Sequence, residues 1–301
     1  MNATTSATVW RASMHACPVC GEVAIRELVA REFPLGQRLY ACTECGLVQM
    51  VAAAPVARDY WADEAVTLDV YANDGVRAEM KGRYARYLPL LTPRGGRPGM
   101  LIDAGCGIGN FLAEAREAGW RAVRVEVSEN AAAIARARGF DVETSRLEDS
   151  RLLDGTFDAI TLWDVFPHFA APIVALRTAH GKLKRGGTLL MEVPNEGFWM
   201  RRAARAAFAI SGGRLDVLRY FYYPDHKFYF TRSTLEGVLA AAGFHVVQMW
   251  QDVTSPMKAR LKIAPGRFPF RRCVLPVLPA VLRLMGRLGI GNKLIVVARA
   301  L

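Results

Sequence analysis

Between residues 100 and 193, short apolar runs alternate with longer amphipathic stretches. The runs at 100–104, 122–127, 157–163 and 188–193 have the length and β-branched content of strands. Between them, 110–118, 129–138 and 173–183 repeat apolar positions at helical spacing. Gly119 and Gly139 close the first two helices, and Gly155, Gly186-Gly187 and Pro194-Asn195 bound the strands. This strand–helix rhythm predicts an α/β domain with a doubly wound, mostly parallel sheet. At Glu196 the rhythm stalls for about thirty-five residues. It resumes where Ser233 and Glu236 predict a capping box that opens a helix running to Ala242 and stopped by Gly243. Strands follow at 244–251 and 293–300, with 256–292 between them read as irregular and basic. Upstream, a helix is expected over 76–91, ended by the glycine- and proline-rich break at 93–99. Short strand-like segments at 27–33, 38–41 and 47–51 surround four cysteines.

The chain has 301 residues, enough for one full domain with a small appendage. The expected division is 1–54 for the appendage and 55–301 for the main domain, with basic insertions near 197–230 and 254–292. Its 52% hydrophobic and 22% charged residues exclude a disordered chain. No apolar stretch reaches the roughly 18–20 residues of a membrane span, and the first sixteen residues lack a secretory pattern. A cytoplasmic location is therefore expected, where cysteines serve as metal ligands or free thiols before disulfides.

The cysteines form two like-built pairs, Cys17-Pro18-Val19-Cys20-Gly21 and Cys42-Thr43-Glu44-Cys45-Gly46. Zinc takes four tetrahedral ligands, and two such turns supply two each. Cys17, Cys20, Cys42 and Cys45 are thus the expected ligands of a structural zinc in a ribbon. Four thiolates leave no open position for catalysis.

The segment Asp103-Ala104-Gly105-Cys106-Gly107-Ile108-Gly109-Asn110-Phe111 joins the first strand of the main domain to its helix. Alternating glycines let the backbone approach a ligand. A dinucleotide loop has its third glycine one residue later, and an acid at Asp103 repels a pyrophosphate but attracts an ammonium or sulfonium. Twenty-one residues past Gly105, Glu126 ends the second strand, where an acid can accept hydrogen bonds from ribose hydroxyls.

This loop resembles motif I of the class I methyltransferases that use S-adenosylmethionine. The segments Phe157–His168, Leu183–Asn195 and Pro224–Thr231 resemble further steps of the same family. The ribbon resembles the N-terminus of sugar C-methyltransferases, and the segment from Pro224 through the capped helix to Gly243-Phe244 resembles one in subfamilies acting on sugars, quinones and other small molecules, ubiquinone-type O-methyltransferases among them. The resemblance implies that Asp103, Gly105, Cys106, Gly107, Gly109, Asn110, Phe111, Glu126 and Val127 contact S-adenosylmethionine, together with Trp163 and Asp164 at the end of the strand over 157–163. Trp163 is expected either to stack on adenine or to sit in the core, and Cys106 to be a small packing residue. One departure stands out. A related form of the family carries Leu-Glu-His-Leu where this chain has Phe166-Pro167-His168-Phe169, so that acid is missing.

Methyl transfer needs a positioned nucleophile and a base to take its proton. His226 and His168 are the candidate bases. Tyr60, Trp61 and Tyr71 suggest a lid over the cofactor or an apolar staple.

The net charge of +11 comes entirely from the last third. From residue 201 onward there are seventeen Lys and Arg against four Asp and Glu. Arg201, Arg205, Lys258, Arg272, Arg283 and others lie among bulky apolar residues, as in segments that rest on an anionic membrane face. A folded cap over a pocket is the equal alternative. The leading expectation is methyl transfer to oxygen or carbon of a small-molecule, sugar or lipid-linked acceptor. An RNA methyltransferase that uses the ribbon and basic surface is less favoured, because the basic residues mix with aliphatics rather than stacking aromatics. A non-enzymatic scaffold is the third reading.

Overall fold

The computed structural model describes residues 17–52, 70–92, 96–263 and 271–301. Tyr60, Trp61 and residues 93–95 of the expected break lie outside the described residues. The main sheet has seven strands. They are β4 (Met100–Ala104), β5 (Arg121–Glu126), β6 (Glu143–Thr144), β7 (Phe157–Trp163), β8 (Leu183–Pro194), β10 (Phe244–Asp252) and β11 (Lys293–Ala300). Their order is β10-β11-β8-β7-β4-β5-β6. The strands from β6 to β8 are parallel, and β11 runs antiparallel between β8 and β10. Chain order reverses at β4, so the crevice at its carboxyl end is where an open α/β sheet binds ligands. The central strands are buried on both faces. Leu189, Leu190, Met191 and Val193 on β8 are fully covered, which explains a run without alternation.

Helices α1 (Asp74–Leu91), α2 (Asn110–Glu117), α3 (Glu129–Ala137), α4 (Pro172–Lys182) and α6 (Arg232–Ala241) cover the sheet. On α1 the buried positions Val76, Met80, Tyr84, Tyr87, Leu88 and Leu91 recur every three or four residues. The cap of α6 differs from the expected one. Thr231 is the N-cap, and its side chain and that of Thr234 exchange hydrogen bonds with each other's backbone amides. Thr234 stands at the third helical position, so the box lies two residues upstream of Ser233.

A second, antiparallel sheet has the order β1-β2-β3-β9, with β1 (Ile25–Glu27), β2 (Gln37–Cys42), β3 (Val48–Ala52) and β9 (Phe228–Tyr229). The first three strands carry the cysteine turns, and the fourth comes from the main domain. Val29, Phe33, Leu39 and Met50 of the ribbon share one apolar cluster with Leu218, Tyr222 and Tyr229. Arg31 forms a two-pronged pair with Asp216 at 2.9 and 2.6 Å.

Both stretches read as irregular contain helices. The first holds α5 (Trp199–Ile210), and the second holds α7 (Pro256–Ile263) and α8 (Arg271–Arg287). Pro276 and Pro279 lie inside α8. A proline there removes a backbone hydrogen bond, and the helix tolerates it because it lies at the surface, where water can serve the freed carbonyl. Lys293–Ala300, expected as a last strand, forms β11.

Candidate active site

The carboxyl ends of β4, β5 and β7 open into a cavity of about 1700 Å³. Its floor is the glycine loop. Gly105 and Gly109 have φ of +72° and +81°, a region costly for any residue with a Cβ. At Gly105 a Cβ would also stand 2.4 Å from Val165. The loop is pinned by Gly105 N–H to the Val125 carbonyl at 2.8 Å. Arg138, at the end of α3, donates to the Ile108 carbonyl and, at 3.0 Å, to Asn110 Oδ1. Cys106 is buried against Leu112, Ala132 and Phe140, and its thiol reaches the Gly107 carbonyl at 3.6 Å.

Two acids meet at this floor. Glu126 accepts the Gly107 amide at 2.7 Å and the Ser128 amide at 3.0 Å, which leaves acceptor capacity on its carboxylate. Asp103 is buried and accepts Thr161 Oγ1–H at 2.7 Å. Burial, with the Glu126 charge nearby, pushes its carboxyl up to about 7 against the Thr161 bond. A buried acid held so high matches a cation as ligand and opposes a phosphate. Val127 stands exposed on the rim, and Phe111 is buried behind the floor. Trp163 packs against Tyr84, Tyr87 and Phe111, with ring centroids 5.0, 6.0 and 5.4 Å away, while also lining the cavity.

Asp164 takes a left-handed conformation, φ +58°, which Asp tolerates better than most residues. Lys293 and Lys258 pair with its carboxylate, Lys258 at 3.5 Å. Burial would raise Asp164, but these two ammonium groups hold it well below the usual carboxylate range. Behind them the network continues from Lys293 to Glu192 at 3.5 Å, to Arg83 at 3.0 Å and to Asp252 at 3.2 Å. Lys258 also donates to the Tyr71 hydroxyl.

The two candidate bases come together. His168 sits in a helical turn over Phe166–His168 just after β7, and His226 precedes β9. Their rings lie edge to face, centroids 4.8 Å apart. Lys227 N–H donates to the Pro167 carbonyl at 2.8 Å, and Phe166 stacks on Phe230, so the residues just before His168 are fastened to those just after His226. Both rings line the cavity.

The cavity has two further walls. One is the ribbon sheet, through Leu35, Gln37, Gln49 and Met50; the other is the cap, through Trp199, Met200 and Ala203 of α5 and Val274, Leu278 and Met285 of α8. Sequence reasoning missed Gln37 and Lys293. A glutamine and a lysine at strand starts carry no motif, and only the packing of distant segments brings them to the site. Lys258, expected on a membrane-facing segment or a cap, is buried. Arg201 is buried as well, over the rings of Tyr222 and Tyr229 at 4.8 and 4.7 Å, and Arg205 pairs with Glu196.

Away from the cavity, the four cysteine sulfurs lie within 4.8 Å of one another, with Cys17–Cys45 and Cys20–Cys42 each at 3.5 Å. Thiolates about 2.3 Å from a tetrahedral zinc stand about 3.8 Å apart, so the cluster fits that ion. Burial disfavours the charge at Cys42, yet the Cys45 and Glu44 amides bring its thiol down to about 7, while burial raises Cys17 and Cys45. A central dication favours the thiolate form of all four. Replacing Cys42 by serine is expected to abolish metal retention and to destabilise the protein by about 3 kcal/mol or more. Metal analysis and thermal unfolding check this.

A family model described as "Methyltransferase domain" matches residues 76–249, more than half of the chain. The chain belongs to this methyltransferase family. Among solved structures it is similar to an S-adenosylmethionine-dependent methyltransferase from Archaeoglobus fulgidus, with 19% identity and a TM-score of 0.53, covering 80% of this chain and all of the other. It is also similar to the plantazolicin methyltransferase BpumL in complex with SAH, at 14% identity and TM-score 0.50, covering 78% and 88%. A third likeness is to geranyl diphosphate methyltransferase in complex with GPP and sinefungin, at 15% identity and TM-score 0.50, covering 73% and 78%. A search of curated proteins finds no match. The expected class I architecture is borne out by the sheet order and these likenesses, and with the family shown the protein is an enzyme rather than a scaffold.

Proposed function

We propose that this methyltransferase moves the methyl group of S-adenosylmethionine to an oxygen or carbon of an amphiphilic small molecule, such as a lipid-linked or sugar-bearing acceptor. The observation that carries this reading is the pairing of His168 and His226 in a cavity that begins at the acidic glycine loop and ends under the apolar cap. Bound at the loop, the cofactor supplies a methyl group already activated by positive sulfur. Asp103 and Glu126 hold its cationic and hydroxyl groups, and Gly105, Gly107 and Gly109 let the backbone close in. Asn110, Phe111, Val127, Trp163 and Asp164 complete that wall. His226, with His168 beside it, takes the proton that the acceptor loses as it is methylated. Gln37 favours an acceptor with a hydroxyl or amine hydrogen. Its Nε2 donates to the Pro224 carbonyl at 2.8 Å, while its buried Oε1 has no partner among the described residues. Incubation with labelled S-adenosylmethionine and fractionated extract tests the proposal. Label in lipid or glycan supports it, and label only in RNA overturns it.

The cap supports an amphiphile. One face of α8 presents Val274, Leu278 and Met285 to the cavity, while Val277, Leu284 and Leu288 face outward beside the exposed Arg283 and Arg287. A helix apolar on both sides and rimmed by cations suits an anionic membrane interface. No described helix is long and apolar enough to cross a membrane, so this is surface docking. Flotation with vesicles containing anionic lipid is expected to carry the protein at low salt, and Leu284→Glu with Leu288→Glu to reduce that binding about tenfold or more. No flotation at low salt removes the membrane part and leaves the acceptor chemistry standing.

A further inference from the structure

Three contacts join the ribbon to the segment that bears His226. Gln37, at the start of β2, donates its side-chain amide to the Pro224 carbonyl at 2.8 Å. The Met50 amide on β3 donates to the Lys227 carbonyl at 2.9 Å. β9 then pairs with β3, Val48 opposite Tyr229 and Gln49 opposite Phe228. These contacts bracket His226 on both sides within the six residues from Pro224 to Tyr229. β2 ends at Cys42, and β3 begins three residues after Cys45. Cys17, Cys42 and Leu47 also pack in the same apolar cluster as Phe228 and Phe230. The sulfur cluster is therefore joined to the histidine's segment through a few residues of β2 and β3.

We propose that the ribbon is a metal-dependent clamp on His226, with Gln37 as a positioning residue. This rests on His226 being a site residue, but its consequence is geometric and does not need turnover. The ribbon is too small to hold β2 and β3 in register by its own core, and the ion closes the loops that carry them. With the ion in place, the strand edge from Val48 to Met50 is rigid and holds residues 227–229 by backbone pairing, the Met50 amide donating to the Lys227 carbonyl. Without it, that edge loosens, and His226 shifts beside His168 because the Lys227–Pro167 and Phe166–Phe230 contacts then hold its segment without the ribbon. The side chain of Gln37 is the separable part of the clamp. It touches no metal ligand, and its amide can be removed while the ribbon stays folded. The assignment of its two ends is unambiguous, because the Pro224 carbonyl accepts only a donor.

The experiment follows the imidazole signals of the full-length protein by proton–carbon NMR, with the His226 signal assigned from the spectrum of His226→Asn. Two samples are compared with the zinc-loaded protein: Gln37→Met, and the protein stripped with a chelator and checked for metal content. In Gln37→Met, zinc is expected to stay bound at one ion per chain. The His226 and His168 signals shift, those of His180 and His245 stay in place, and the affinity for S-adenosylhomocysteine changes by less than about twofold. Stripping produces the same displacement, larger and broadened, and restoring zinc reverses it. An unmoved His226 signal in Gln37→Met overturns the proposal, as does an unmoved signal in the stripped protein. If stripping collapses all histidine signals together, Gln37→Met decides alone. Methyl transfer is not read, so failure of the clamp and failure of the proposed reaction remain distinguishable.

Discussion

Substituting Asp103 by asparagine is expected to weaken binding of S-adenosylhomocysteine by about ten- to hundredfold at pH 8, the worth of a buried charge-assisted hydrogen bond. The pH dependence gives the sharper signature. Burial raises the folded carboxyl from 3.8 to about 7, so between these values the folded chain keeps a proton that the unfolded chain has released. Stability of the ligand-free protein therefore falls as pH climbs through that window. A cationic amino group binds the ionised form, so affinity moves the other way. It rises about tenfold between pH 6 and 8, as the ionised share of an acid titrating near 7 grows, and then levels off. Asp103→Asn flattens this profile and also makes the ligand-free protein more stable at pH 8, since the costly buried charge is gone. Calorimetric titration at several pH values, with thermal unfolding alongside, reads both effects. An affinity that ignores both pH and the substitution would show that Asp103 does not face the ligand's cation.

Replacing His226 by asparagine is expected to slow methyl transfer by about 10²–10⁴-fold, the usual contribution of a positioned base. Affinity for S-adenosylhomocysteine should stay the same, because the glycine loop and its two acids are untouched. The His168 and His226 rings are in contact, so the substitutions should not add. His168→Asn alone is expected to cost less, and the double variant little more than His226→Asn. Single-turnover transfer to the acceptor found by labelling measures this. Full activity in His226→Asn would assign proton removal elsewhere, and additive losses would separate the two histidines into independent roles.

The elements of the α/β domain were legible because strands buried on both faces and helices closed by glycine leave strong local marks. Met100–Ala104 and Phe157–Trp163 lie where the hydrophobic pattern puts them. The cap helices were not legible. In α5, Arg201 and Arg205 break the apolar pattern while packing inward against Tyr222 and Glu196. In α8, two prolines and an apolar surface on two sides hide the helical period. The charge excess was legible as a number but not as a surface, since Arg201 and Lys258 are buried and pair with Glu196 and Asp164.

By itself the sequence determined which chemistry the chain carries. The four thiols, the acid before the alternating glycines, the acid after the second strand and the two histidines are set by residue type and spacing, and short-range backbone geometry turns such spacing into local structure. Which of these groups meet was decided by tertiary structure alone. His168 and His226 stand 58 residues apart in the chain, Asp164 and Lys293 stand 129 apart, and Gln37 reaches Pro224 across 187. Such meetings depend on how strand order and helix packing close the cavity, and local periodicity holds no record of that closure.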